Sequence, residues 1–374
     1  MKIGIVLSRC HRFGSSRYLM ETIPYFASMG HEIHLFANSW DPIDHSNVFF
    51  HKTPRIFTNN IFLRESFNTI SSTVILKMHK FDVTLAQPTR YFTPDIGEMQ
   101  FVYKSWIDYK KSRGIKDNFK VGMSDKWLSW MEKRNVARCK EFIALAECVK
   151  RDVVKSYGVH PEKVTVCYSG VNLDEFHPKN KSLYRNEIRK KFGINDDEIL
   201  MLFVGNPFSR KGLDCLIKSL EQIKNRKFKL LVSGKDDPTS YIKLSKSLGL
   251  EKKIIYNLGL TSEIRKIFSA ADMFVFPTLY ETFGLVILEA MASGLPVITS
   301  ECAGAAELID NYKDGISLKN PESVDEVCKN IEYLFDNPKE AKFMGIKARQ
   351  KAENYPWLKT AKSMLSVLEA VGEK

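Results

Sequence analysis

No Cys-x-x-Cys pair occurs in this chain, and its seven cysteines are scattered and odd in number. Neither a zinc knuckle nor a disulfide framework is indicated, and this usage suits a reducing cytoplasm. No apolar run approaches a membrane span. Only five apolar or Gly residues follow Lys2 without a break, too few for a signal peptide, so the start of the chain reads as a buried strand. GxxxxGK[ST] is missing, which argues against phosphoryl transfer by a P-loop. GxSxG is missing too, and the first loop lacks GxGxxG. No His, Cys and Asp cluster has metal-ligand spacing, and there is no internal repeat or low-complexity tract.

What is present is an ordinary globular composition, 44% hydrophobic and 27% charged over 374 residues, a length that suggests two domains. The net charge is +12 and uneven: residues 104–155 hold 14 basic against 7 acidic side chains. Such an excess suits nucleic acid, anionic lipid or a phosphorylated substrate. No nucleic-acid motif accompanies it, so the aromatic and basic residues 101–135 read as a dock for an anionic membrane.

The hydrophobic pattern alternates strand and helix. Lys2–Ser8, Arg17–Met29 and Glu32–Asn38 read as a βαβ opening, and the loop between strand and helix carries Arg9, His11, Arg12 and Gly14 at the strand's C-terminal end. Val48–Lys52, Phe81–Ala86, Glu141–Glu147 and Lys163–Tyr168 read as further strands, with 92–135 the least regular part. Pro178–Asn195 reads as the crossing between domains. A second array has strands at Ile199–Gly205, Phe228–Gly234, Lys253–Leu258, Asp272–Pro277 and Pro296–Ser300, and the chain turns helical after Ile316. Continuous apolar strands between helices imply parallel sheets covered on both faces. The expected fold class is α/β, with two doubly wound Rossmann-like domains facing across a cleft. The expected boundaries are 1–178 and 179–356, with the last helix, 357–374, packing back on the first domain.

Two stretches offer chemistry. Arg210-Lys211-Gly212 follows the first strand of the second array, where two cations and a glycine before a helix suit a diphosphate. Asp272–Ala305 reads as strand, loop, helix and strand. Its helix is apolar on almost every side apart from Glu289, and a buried carboxylate requires a donor. Glu281 lies in the loop eight positions earlier. Read with Arg210-Lys211 across the cleft, this segment becomes one half of a sugar-nucleotide site. His160 and His177 are isolated and read as structural.

The stretches SGVNLDEF, VGNPFSRKGLD and ETFGLVILEAMASGLPVITS together resemble the retaining GT-B glycosyltransferases of family 4, whose E-x7-E motif is matched by Glu281 and Glu289. The resemblance covers almost the whole chain and is strongest over 199–310. Within the family it leans towards the enzymes that glucosylate lipopolysaccharide core heptose. It implies hexose transfer from a nucleotide-diphosphate sugar, UDP-glucose first, to a saccharide or lipid-linked acceptor in lipopolysaccharide-like glycan synthesis. It implies Arg210, Lys211 and Glu281 as catalytic residues. The implied donor set is Gly14, Gly205, Arg210, Lys211, Glu281, Phe283, Gly284, Leu285 and Glu289, with Glu289 on the ribose. The implied acceptor side is Arg9, His11, Arg12 and Glu98. No cofactor or metal is expected, since Arg210 and Lys211 supply the positive charge. The implied location is cytoplasmic, peripheral on the inner face of the plasma membrane. An epimerase or phosphorylase on the same fold, and a non-enzymatic basic membrane-binding protein, are the other readings. The chain departs from the family at Gly14-Ser15, where many members have Gly-Gly. It also lacks a His in EMQFVYKSW and has Asn172 where many have Asp. These departures fall mainly on the acceptor side.

Overall fold

The computed structural model describes every residue except 8, 12, 13, 55, 57, 59, 90, 116–118, 260–262 and 374. The chain divides into two units, Met1–Ser169 with Trp357–Lys374, and Gly170–Pro356.

Unit 1 runs β1 Lys2–Val6, α1 Arg17–Ser28, β2 Glu32–Ala37, β3 Val48–Lys52, α2 Ile61–Lys77, β4 Val83–Ala86, β5 Ile96–Met99, α3 Tyr103–Ser112, α4 Phe119–Val136, β6 Glu141–Ala144, α5 Glu147–Tyr157 and β7 Val164–Val166. Its sheet has the order β3-β2-β1-β4-β5-β6-β7, with parallel pairing such as Ile3 with Ile33 and Ile3 with Val83. Both faces are covered, so strands such as KIGIV are buried almost end to end. Helix ends follow their local chemistry: Asn60 accepts from the Leu63 N–H at the start of α2, and left-handed Gly158 closes α5.

Unit 2 runs α6 Asn180–Lys191, β8 Ile199–Val204, α7 Leu213–Gln222, β9 Phe228–Gly234, α8 Thr239–Ser247, β10 Ile254–Leu258, α9 Ile264–Ala270, β11 Met273–Phe276, α10 Leu285–Ala292, β12 Val297–Ser300, β13 Ile316–Leu318, α11 Val324–Asp336 and α12 Pro338–Ala352. Its sheet order is β10-β9-β8-β11-β12-β13, again parallel. The last helix, α13 Trp357–Gly372, belongs to unit 1. Trp357 is 3% exposed and meets Tyr18 of α1 edge-on at 6.3 Å, and Thr360 donates to the Tyr168 carbonyl at 2.9 Å.

Three expectations need correction. The boundary lies at 169/170 and not at 178. Val171 N–H donates to the Tyr355 carbonyl, Arg349 holds the carbonyls of Leu173 and Phe176, and Phe176 packs on Phe268, so 170–178 is tied to unit 2. Nor is 178–195 a crossing. Its helix α6 lies on α9, where Arg185 and the buried Arg189 bind Asp272 at 2.7 and 3.2 Å and both donate to the Ala270 carbonyl. Finally, 92–135 is regular, holding β5, α3 and α4, and β13 follows Gly315 where only helix was expected.

Replacing Trp357 with Ala should cost unit 1 about 3–5 kcal/mol by the cavity left in its core. Urea unfolding followed by circular dichroism reads this; an unchanged unfolding profile would show that α13 does not support unit 1.

Candidate sugar-nucleotide site

The strand order of unit 2 reverses between β8 and β11, so the loops leaving their C-terminal ends emerge side by side. This is where open α/β sheets hold ligands. The first loop, 205–212, carries Arg210 and Lys211; the second, 277–284, carries Glu281.

Each loop is fixed by backbone bonds. In the first, Phe208 is fully buried and its N–H donates to Asp236 at 2.7 Å. The chain then turns at Gly212, with φ 77, pressed so closely on β11's exit that a Cβ there would sit 1.9 Å from the Pro277 carbonyl oxygen. Only glycine fits that approach. The second loop is stitched to the first, since the Leu279 N–H and the Thr278 hydroxyl both donate to the Arg210 carbonyl, at 2.9 and 3.3 Å. It is also stitched to the segment after β12: Glu281 N–H donates to the Cys302 carbonyl at 3.3 Å, and Gly304 N–H to the Glu281 carbonyl at 3.2 Å.

This scaffold brings Lys211 and Glu281 together. The ammonium, on a side chain only 4% exposed, donates to Glu281 Oε2 and lies 5.5 Å from the Phe276 ring centroid. Burial pushes the Lys211 pKa below the ordinary lysine range, against the pull of Glu281. Burial pushes the Glu281 carboxyl up, but Lys211 and then Arg210 outweigh it and hold it below the ordinary carboxylate range. A lysine with a lowered folded pKa binds fewer protons than the unfolded chain, so it contributes a cost at neutral pH that lessens as pH rises towards 10.5. Arg210 is half-buried, and among the described residues its guanidinium makes one long hydrogen bond, 3.5 Å to the Asn206 carbonyl.

Next to this pair, Gly284 adopts φ 93 and starts α10, whose N-terminus has no side-chain cap. The first N–H groups of a helix lack intrahelical acceptors and favour an anion. Phe283 is buried and Leu285 half-buried. Glu289, five positions past Gly284, is 4% exposed, as its apolar surroundings in the sequence required. Gly205 backs Lys211, with a Cβ there falling 2.9 Å from Lys211 Cγ. The structure thus gathers Gly205, Arg210, Lys211, Glu281, Phe283, Gly284 and Leu285 on adjacent loops of one unit. Arg210-Lys211 is not across a cleft from Glu281.

The remaining expected residues lie in unit 1. Gly14, with φ 66, opens a single turn, Gly14–Ser16, before α1; Arg9 is exposed; Arg12 lies outside the described residues. His11 is held at both ring nitrogens, Nδ1 to Asp41 at 2.8 Å and Nε2 to Ser39 at 3.1 Å. Sequence reasoning missed these partners, which lie 28 and 30 positions away; the only local signal is Ser39-Trp40-Asp41 at the end of a predicted strand. Glu98 sits within β5, 1% exposed, and accepts from Gln100; burial raises its pKa to about 8. It is a core carboxyl and not an open surface group.

Residues 184–351 match the family profile described as glycosyl transferases group 1, and 109–175 match that described as Glycosyltransferase Family 4. Over these two stretches the chain matches family 4 glycosyltransferases, and it has the GT-B fold. It is 32% identical over 246 residues to an uncharacterized glycosyltransferase of Methanocaldococcus jannaschii, covering 62% of this chain and 60% of the relative. It is 28% identical over 256 residues to the lipopolysaccharide glucosyltransferase WaaG of Escherichia coli, covering 67% and 64%. The matches thus span under two thirds of these relatives' own lengths. Among solved structures, WaaG, a glycosyltransferase involved in lipopolysaccharide biosynthesis, superposes with a TM-score of 0.81 at 21% identity over 98% of this chain and 99% of that one. Anabaena HepE in complex with UDP-glucose does so with a TM-score of 0.75 at 16% identity over 99% and 100%.

A double-mutant cycle tests the buried pair. Lys211→Met alone should cost about 3–5 kcal/mol by stranding a buried carboxylate, while adding Glu281→Leu should recover most of it. Additive losses in thermal unfolding would mean that the two side chains do not interact.

Proposed function

We propose that the protein is a retaining hexosyltransferase that uses a nucleotide-diphosphate hexose, UDP-glucose first, in the synthesis of a cell-surface glycan of the lipopolysaccharide type. One observation carries this reading: two cations and an uncapped helix N-terminus converge at the β8/β11 reversal, with a carboxylate already in place beside them. A diphosphate needs the first two features and a sugar hydroxyl the third. The printed descriptions of WaaG as a lipopolysaccharide glucosyltransferase and of HepE with UDP-glucose support the choice of sugar and base.

In this reading, transfer occurs on one face of the sugar, with the departing phosphate taking the acceptor proton. The protein orients the substrates and stabilises charge that grows on the leaving diphosphate. Arg210 meets the phosphate from its partly exposed position. Lys211 shares its three protons between the phosphate and Glu281. Glu281 in turn accepts from a sugar hydroxyl, and Glu289 from the ribose. The reading invokes no metal ion, because the cations and the α10 N-terminus provide the positive charge.

The acceptor, a saccharide or a lipid-linked saccharide, is assigned to unit 1, with Gly14, Arg9, His11 and Arg12 near it. A cytoplasmic, peripheral position on an anionic membrane fits one face of unit 1. There α2 exposes Leu63, Ile70 and Val74, Met78 just past its end is exposed too, and Phe62 lies 4.6 Å from Trp127 of α4. On α4, exposed Met123 and Trp130 stand among exposed Lys126, Lys133 and Arg134. No described helix is long and apolar enough to cross a membrane.

Arg210→Ala should lower acceptor-dependent UDP release from UDP-glucose by about 10²–10³-fold while thermal stability stays within about 0.5 kcal/mol, as is usual for a surface change. Wild-type turnover in this variant would remove Arg210 from the diphosphate, and sugar epimerisation without acceptor would point to an epimerase. Sedimentation with liposomes should depend on anionic lipid and weaken with salt; equal binding to neutral vesicles would contradict the membrane assignment.

A further inference from the structure

Far from the donor loops in sequence, unit 1 holds a column of imidazoles that glycosyl transfer does not use. His34 lies on β2, His51 on β3, and His79 just after α2. His34 Nε2 is 2.6 Å from Glu32 Oε1, and His34 Nδ1 is 2.7 Å from His51 Nε2. The rings of His34 and His51 stack at 5.0 Å and 15°, His51 stacks on Phe36 at 4.5 Å and 12°, and His79 meets His51 at 5.2 Å. Phe49 and Phe81 close the column against His34 at 5.0 and 5.4 Å. His34 is 7% exposed and Phe36 fully buried. The column thus joins β2, the edge strand β3 and the end of α2.

Counting protons shows what this arrangement tolerates. An ionised carboxylate only accepts, so His34 Nε2 carries the proton of its bond to Glu32. Between His34 Nδ1 and His51 Nε2, one nitrogen carries a proton and the other must not. The link holds with both rings neutral or with one positive charge on the pair. With two charges, two N–H groups face each other at hydrogen-bond distance and the bond is lost. The unfolded chain has no such restriction.

We propose that the Glu32–His34–His51–His79 column is a pH-sensitive clasp that fastens edge strand β3 to the unit 1 sheet and releases it when a second imidazole takes a proton. The charged groups around it do not compensate for a second charge. Among the described residues, Glu32 on β2 is the one carboxylate bonded to the column, and Lys2 on β1 already pairs with it at 3.3 Å. Asp82, before β4, is taken by the Lys2 backbone N–H at 2.6 Å. His79 Nδ1 lies 3.1 Å from the Ile75 carbonyl. Burial first, then His34, His79 and Lys2, lowers the His51 pKa from its ordinary 6.5. A histidine lowered in the folded state leaves the unfolded chain binding more protons in that window. Stability is then complete above about 6.5 and falls as pH drops below it.

The test is hydrogen exchange by mass spectrometry on the intact protein at pH 7.5 and 5.5, corrected for intrinsic rates, alongside thermal unfolding of wild type and His51→Gln. Glutamine keeps polar atoms but takes no charge. The wild type should lose about tenfold protection over 48–52 at the lower pH, and its Tm should fall by about 2–4 °C more than that of His51→Gln. The same pH dependence in both proteins would overturn the proposal. Where His51→Gln does not fold, ring NMR of the wild type decides. One ring of the pair should titrate well below the other; two independent titrations near 6.5 would also overturn it.

Discussion

The loops at the β8/β11 end of unit 2 meet in one buried ion pair. Lys211 and Glu281 come from loops that are 70 positions apart, and neither loop would hold its course without the other. The close approach of Gly212 to Pro277 and the bonds of Leu279 and Thr278 to the Arg210 carbonyl set the loops together. The pair then settles the charge within them. A buried ammonium without a partner would lose its proton, and a buried carboxylate without one would gain it. Together they balance each other's charge beside the N-terminus of α10.

That arrangement follows from strand order. In each unit the sheet runs outwards in both directions from its first strand, so the strand order reverses there and the loops on either side of the reversal belong to neighbouring strands. In unit 2 these loops carry two cations and a glycine turn, and lead into α10. In unit 1 the corresponding edge carries Gly14 and the His11–Asp41–Ser39 group. The same architecture thus offers one charged and one mainly polar ledge, and the chemistry differs because the loops differ and not because the folds do.

Much of this was legible in the sequence because the signals are local. The continuous apolar strands of unit 2, the Gly-bounded helix around Glu289 and the RKG turn are each read within a dozen residues. What failed was non-local or too short. β13 has three residues, and β5 carries a glutamate, so neither shows an apolar run. Residues 170–178 look like a continuation of the first domain until the Val171–Tyr355 bond and Arg349 tie them to a segment almost two hundred positions on. Helix α6 looks like a solvated linker because its arginines read as surface charge, yet Arg189 is 1% exposed and bound to Asp272. The strand-end positions of Arg210, Lys211 and Glu281 were legible, but the pairing of Lys211 with Glu281 was not. Sequence spacing says which residues stand at strand ends and not which of them touch.

The most direct test of the account is a crystal structure of the protein with UDP bound. The diphosphate should lie against the Arg210 guanidinium, the Lys211 ammonium and the first turn of α10, with the ribose near Glu289. UDP bound elsewhere, or in the same loops without contact to Arg210 or Lys211, would contradict the assignment of the buried pair and its neighbours to the donor phosphate.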